Sequence, residues 1–254
     1  MVPTPHKKEG KKIILKGECQ MKKALVLSSG GVDSTTCVSL AVKELGKENV
    51  TTVSVYYGQK HQKELECAEK VAEYYGVDHR VIDLSKTGIM DDSNCSLLQN
   101  STKEIPEGDY ADQIDKTEDG MVSTYVPFRN GLMLSAIAAL AVSKYPEDEV
   151  DVYLGAHADD AAGNAYADCS EAFTDAIGKA IHIGTYNKVN LVAPLVNMNK
   201  AEVVKTGLEL GTPYELTWSC YKGGEKPCGK CGTCIDRAKA FAANGVKDPA
   251  LKED

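Results

Sequence analysis

Lys22-Lys23-Ala24-Leu25-Val26-Leu27-Ser28-Ser29-Gly30-Gly31-Val32-Asp33-Ser34-Thr35 decides the fold. Its first half is a short apolar run ending in small residues, and a helical pattern follows over residues 34–45, so the stretch reads as strand, tight turn and helix. The alternation continues with predicted strands at residues 50–57, 79–84, 150–155 and 189–194, and predicted helices at residues 62–75, 130–143 and 170–182. Strands alternating with helices of this length predict an α/β fold: a doubly wound parallel sheet, Rossmann-like, covered on both faces. In such sheets ligands bind at the carboxyl ends of the strands.

The turn itself carries chemistry. Gly30 and Gly31 let the backbone bend sharply, and the unpaired amides at the helix start favour an anion. Hydroxyls from Ser29, Ser34 and Thr35 add donors, which suits a polyphosphate. Asp33 would repel phosphate unless it holds Mg2+, which bridges carboxylate and phosphate oxygens. A Walker loop is excluded, because Gly46-Lys47, Gly178-Lys179 and Gly229-Lys230 are followed by Glu48, Ala180 and Cys231. The dinucleotide fingerprint is excluded too, since no two glycines stand two residues apart. Candidate nucleotide contacts are therefore Ser28, Ser29, Gly30, Gly31, Val32, Asp33, Ser34, Thr35, Thr36, Cys37 and Val38. Gln59 and His61, after the second strand, lie on the same sheet edge. The bland reading is a tight turn capped by Asp33 or Ser34.

Composition sets the frame. The chain has 254 residues, 43% apolar and 26% charged, long enough to bury a core without disulfides and too apolar to be disordered. The 14 residues between Arg129 and Lys144 are too few to span a bilayer, and the lysine-rich first 20 residues lack the apolar region of a secretory signal. A cytoplasmic protein with no membrane partner is expected. A net charge of −8 disfavours a nucleic-acid partner.

Nine cysteines are an odd number, and four crowd together as Cys220-x7-Cys228-x2-Cys231-x2-Cys234. Four thiolates at these spacings suit one tetrahedral, structural Zn2+ per subunit. An iron–sulfur cluster or a redox dithiol uses the same residue type. The remaining cysteines, Cys37 and Cys67 among them, read as buried small apolar side chains. The chain divides into a flexible extension (1–20, with Met21 a possible alternative start), an α/β domain carrying the phosphate turn (21–211) and a small zinc-binding module built on the four clustered cysteines (212–254). Within the domain, residues 86–124 form an insert with seven acids between Glu104 and Asp119, read as a mobile loop over the site or as a solvated insertion.

Substrate-side candidates lie on the same sheet edge. Arg129 opens an apolar helix, where the helix dipole disfavours a cation by about 0.3–1 kcal/mol. A bound phosphate or carboxylate would account for it; a solvated arginine or an internal ion pair is the alternative. His157, Asp159 and Asp160 follow the fourth strand, although a lone histidine is more often structural. Trp218, the sole tryptophan, either stacks on a planar base or packs the cysteine module.

Ser-Gly-Gly-Val-Asp-Ser after a strand resembles the signature of the PP-loop ATP pyrophosphatases, which cleave ATP between the α and β phosphates and have an adenine nucleotide alpha hydrolase-like fold. The hexad with Thr35-Thr36-Cys37, Val126-Pro127-Phe128-Arg129-Asn130, the run from Gly155 to Tyr166, and Thr217-Trp218-Ser219-Cys220-Tyr221 leading to the other cysteines and Asp236-Arg237 together resemble the 7-cyano-7-deazaguanine synthase family of queuosine biosynthesis. The likeness covers residues 21–242. It departs in the first 20 residues and at Ala167, where proline is expected.

The resemblance implies conversion of 7-carboxy-7-deazaguanine and free ammonia to 7-cyano-7-deazaguanine with two ATP and Mg2+, through adenylated acid and amide, in a homodimer. It implies catalytic roles for Asp33, Ser34, Arg129, His157 and Asp159, and substrate contacts from Arg129, Asn130, Asp160 and Trp218. Two alternatives remain: a PP-loop enzyme adenylating tRNA for thiolation or lysidine-type ligation, and a zinc-dependent interaction module whose glycine loop merely binds nucleotide.

Overall fold

A computed structural model describes residues 22–110, 113, 122–161 and 166–251. The N-terminal extension, most of residues 111–121, residues 162–165 and the last three residues lie outside that set. β1 (Lys23–Leu27), β2 (Val50–Tyr56) and β4 (Val150–Tyr153) carry no exposed residue, as strands covered on both faces require. β5 (Val189–Val192) closes one edge and β3 (Asp78–Asp83) the other. β3 has four exposed residues and only His79 and Ile82 half-buried, so cover thins at that edge.

All neighbouring strands pair in parallel, in the order β3-β2-β1-β4-β5. The chain therefore winds one way from β1 to β3 and the other way from β4 to β5. The reversal falls between β1 and β4, where Val26 is in register with Tyr153, and it opens a crevice at their carboxyl ends.

Strand alternation sorts the core. Leu25, Leu27, Val53 and Val55 face α3 (Arg129–Lys144) and α4 (Glu171–Gly184), with Leu134, Ile137 and Ile181 packed against them. Ala24 and Val26 face the opposite way, toward Val38 of α1 (Val32–Leu45), Val71 of α2 (Lys63–Tyr75), Val203 of α5 (Lys200–Leu210) and Phe241 of α6 (Gly232–Ala243). Each fully buried side chain of this size contributes about 1.5–3 kcal/mol.

Two features differ from the sequence reading. Tyr214, Ala240 and Phe241 share one core with Val32 and Val38, so part of the C-terminal segment packs into the main domain, while Trp218, Cys220, Cys231 and Cys234 form a separate small cluster with Cys67 of α2. Within the insert, Cys95, Leu97 and Leu98 are buried in the other core; Lys60 N donates to Leu97 O, and Gln99 N to Gly58 O. A solvated insertion is thereby ruled out for residues 95–98. The acidic charge obscured this short apolar segment.

Candidate active site

The turn after β1 has the expected form. Gly30 has φ +76, and a Cβ there would stand 2.2 Å from Glu64 O and 2.6 Å from Ala68 N, so α2 packs directly on its backbone. Gly31 caps α1 with extended backbone, and no side chain caps the helix start. Ser29 and Ser34 hydroxyls lie 3.2 Å apart across the turn. Ser28, Ser29, Gly31, Val32, Asp33 and Ser34 line a cleft at the β1/β4 switch point. Ser28 Oγ is buried there without a partner.

A compact charge network occupies the floor. Lys200 Nζ donates to Asp33 Oδ1 at 2.7 Å and Oδ2 at 2.6 Å, and approaches His157 Nε2 to 3.2 Å. His157 Nε2 also lies 3.3 Å from Asp160 Oδ1 and 3.8 Å from Asp33 Oδ2. Burial works to raise the Asp33 carboxyl, but the Lys200 ammonium and His157 outweigh it and hold Asp33 below the usual carboxylate range. Burial instead dominates at Asp160, whose carboxyl is raised against the pull of His157 and Lys200. Two carboxylates beside one histidine are thus pushed apart in proton affinity, the arrangement that separates acid from base roles.

The opposite wall is aromatic, with a single guanidinium. Arg129 Nη1 donates to Tyr57 Oη at 3.3 Å, and among the described residues no carboxylate lies within 4.0 Å of it. The internal ion pair is therefore not its explanation, and its cation faces the cleft. Asn130 fixes it from behind: Asn130 N donates to Asp168 Oδ2 at 2.9 Å, and its side-chain amide to Asp168 O and Cys169 Sγ. Tyr110, Tyr166 and Tyr221 complete this wall, with the Tyr110 and Tyr221 hydroxyls 2.8 Å apart.

The four cysteine sulfurs lie within 4.8 Å of one another, close enough to hold one metal ion. The Cys231 thiol is pushed down, chiefly by its hydrogen bond with Cys234, against burial. The cluster is tied to the cleft through Trp218, whose Nε1 donates to Cys220 O at 2.7 Å and whose N donates to Gly30 O at 2.9 Å.

Several candidates fall elsewhere. Thr35, Thr36, Cys37 and Val38 are wholly buried behind the turn, because the helical period directs them into the core; Thr36 Oγ1 bonds Tyr214 Oη instead of a ligand. Gln59 reaches the cleft, but its amide accepts from Tyr57 N, fastening the end of β2. His61 packs against Gly223 of the cysteine segment, outside the cleft. Asp159 is exposed and accepts from Lys200 N at 2.7 Å, so it secures the start of α5 and does not face the cleft. Asn130 and Trp218 do line the cleft, although Asn130 spends its side-chain amide on Asp168 and Cys169 and Trp218, 7% exposed, also packs the cysteine segment. Lys200, Glu64 and Asp236 also line the cleft; of these only Asp236 stands in a sequence motif given above, and none was a sequence-predicted site residue. A signal for Lys200 stood in the sequence nearby: Asn199 and Glu202 form a capping box just past β5, which marks a helix starting at the same sheet edge.

Known proteins resemble this chain across most of its length. A relative from Caldicellulosiruptor saccharolyticus, named 7-cyano-7-deazaguanine synthase, is 44% identical over 227 residues, covering 89% of this chain and 94% of that protein. One of the same name from Archaeoglobus fulgidus is 40% identical over 233 residues, covering 91% of each. The family model described as Queuosine biosynthesis protein QueC matches residues 23–245, from β1 to just past α6. The chain that builds this cleft therefore belongs to the QueC family, whose curated members are named 7-cyano-7-deazaguanine synthases.

Proposed function

We propose that the protein converts 7-carboxy-7-deazaguanine and ammonia to 7-cyano-7-deazaguanine, using two ATP. A carboxylate is a poor electrophile, so its oxygen first attacks the α-phosphorus, forming the acyl-adenylate and releasing pyrophosphate. Ammonia then displaces AMP to give the amide. A second adenylation, on the amide oxygen, lets that oxygen depart with AMP as the nitrile forms. No side-chain nucleophile is consumed. What supports this reading is the uncapped start of α1 facing the Lys200–Asp33–His157–Asp160 network, in one cleft with the unpaired Arg129.

In this reading the free amides at the start of α1, with Ser29, Ser34 and Lys200, take the charge that develops on the departing pyrophosphate. Arg129 orients the substrate carboxylate or a phosphate oxygen. His157, between one carboxylate held ionised and one raised, accepts the proton shed as ammonia attacks. Asp33 and Asp160 offer the hard oxygen donors that Mg2+ takes, and would hold it. That ion supplies charge neutralisation on the phosphates. Holding both reactants aligned in a closed cleft provides several kcal/mol more.

The cysteine cluster in this reading holds one structural Zn2+. Four sulfurs about 2.3 Å from a tetrahedral ion stand about 3.8 Å apart, and Cys228 and Cys234 Sγ lie 4.0 Å apart here. A multi-iron cluster spreads its cysteines over different irons and sets them wider. We also infer a homodimer acting on small molecules without nucleic acid, which sedimentation tests. The decisive experiment incubates the protein with ATP, ammonia and the carboxy compound, then detects nitrile and AMP by mass. Nitrile with two AMP is expected; orthophosphate alone overturns the reading.

A further inference from the structure

Glu64, in the first turn of α2, and Asp236 are the charged groups of the cleft that the chemistry above leaves unused, and Glu64 stands beside the phosphate turn. Its backbone is pinned against Gly30, so the side chain projects from a fixed point beside the phosphate turn. The residue is only part-buried, and among the described residues its carboxylate accepts no hydrogen bond and makes no ion pair. Its neighbour Lys63 is committed elsewhere: Nζ donates to Gly224 O and Glu225 O and stands 4.1 Å over the Trp218 ring. Desolvation without a partner raises the carboxyl to about 7, with Arg129 opposing. An unpaired carboxylate in a cleft is costly to keep, and donors brought by a ligand would remove that cost.

The two ring systems this enzyme handles differ in the donors they present. A guanine-type ring carries two parallel donors, N1–H and the 2-amino group, which match the two oxygens of a carboxylate. Adenine presents acceptors at N1 and N3 and one donor at its 6-amino group, a mismatch for a carboxylate. A protein that takes both rings into one cleft needs a group that keeps each in its own seat. We propose that Glu64 is the specificity-determining residue that reads the N1–H and 2-amino donors of the deazaguanine substrate, on the aromatic side of the cleft near Arg129. The proposal rests on the reaction proposed above.

Wild-type protein and Glu64→Gln are compared on 7-carboxy-7-deazaguanine and on its counterpart lacking the 2-amino group, with saturating ATP and ammonia, reading nitrile and AMP. The wild type is expected to prefer the 2-amino substrate by about 100-fold or more in kcat/KM, because without that donor an acceptor covered by the bound ring is left unpaired. In Glu64→Gln that preference shrinks to within about tenfold, through KM of the ring substrate, with KM for ATP unchanged. Glu64→Asp, which keeps the charge on a shorter arm, retains part of the preference. An unchanged preference in Glu64→Gln overturns the proposal, as does a loss confined to kcat or one that appears in KM for ATP. Ring binding without ATP, followed by calorimetry on both proteins, separates this from the reaction itself. If the wild type makes no nitrile, the reaction fails; equal binding by Glu64→Gln and wild type sinks the role of Glu64.

Discussion

Lys200 Nζ lies 2.6 and 2.7 Å from the two carboxylate oxygens of Asp33, joining the starts of α5 and α1 across 167 residues of sequence. The pair holds a cation at the phosphate turn before any nucleotide arrives, so stabilising charge is positioned in advance. Lys200→Met and Asp33→Asn are each expected to lower kcat for AMP formation at least about 100-fold, close to 3 kcal/mol. Because the two act as a unit, the double variant should lose little more than the worse single one. Additive losses in steady-state rates would show that they act separately.

Much of this arrangement was legible beforehand, and the exceptions have physical reasons. Strand and helix period sufficed for the sheet, and the strand–Gly-Gly–helix pattern located the phosphate turn. What a linear reading cannot supply is the direction of side chains on a helix that packs on both sides. Cys37 and Val38 continue the motif in sequence yet point into the core, whereas Lys200, far along the chain, points into the cleft. Asp159 and Asp160 are adjacent, and only the second faces His157. Burial of residues 95–98 was hidden by the acidic composition that follows them.

The two glycines of the turn should separate folding from ligand contact. A side chain at Gly30 meets the backbone of α2 at 2.2 Å and is forced into φ +76, so Gly30→Ala should cost about 3 kcal/mol or more and lower the unfolding midpoint. At Gly31 an added Cβ meets Ser29 Oγ at 3.4 Å and Trp218 O at 3.6 Å, which is ordinary contact. Gly31→Ala is therefore expected to fold with stability within about 1 kcal/mol of wild type but to raise KM for ATP. Urea titration and initial rates on the same two proteins test both halves.

Glu64 should make the unliganded protein less stable as pH rises. Its folded carboxyl is raised from 4.5 to about 7, so between those values the native state binds more protons than the unfolded one. Stability from this group is thus full below 4.5 and is lost as pH climbs through 7, by up to about 3 kcal/mol. Glu64→Gln removes the ionisation, and its unfolding free energy should exceed that of wild type at pH 8 and converge with it at pH 5. Wild-type stability that stays ahead at pH 8 would mean that Glu64 is paired.

Metal removal should reach the phosphate turn through a single residue. Trp218 Nε1 is bonded to Cys220 O and its backbone N to Gly30 O, so one residue spans the thiol cluster and the turn. Arg237 braces the same segment, donating to Thr217 Oγ1 and Ser219 Oγ and pairing with Asp248 at 2.6 Å. If the four cysteines hold the proposed ion, a chelator would leave four mutually repelling or protonated thiols, and the loop from residue 220 to 234 would lose its staple. As the sole tryptophan, Trp218 reports this directly. Its emission should shift to the red, the unfolding temperature should fall, and KM for ATP should rise while KM for ammonia changes less. Restoring one equivalent of Zn2+ should reverse all three. An emission spectrum that does not move on chelation would sever the link between cluster and turn.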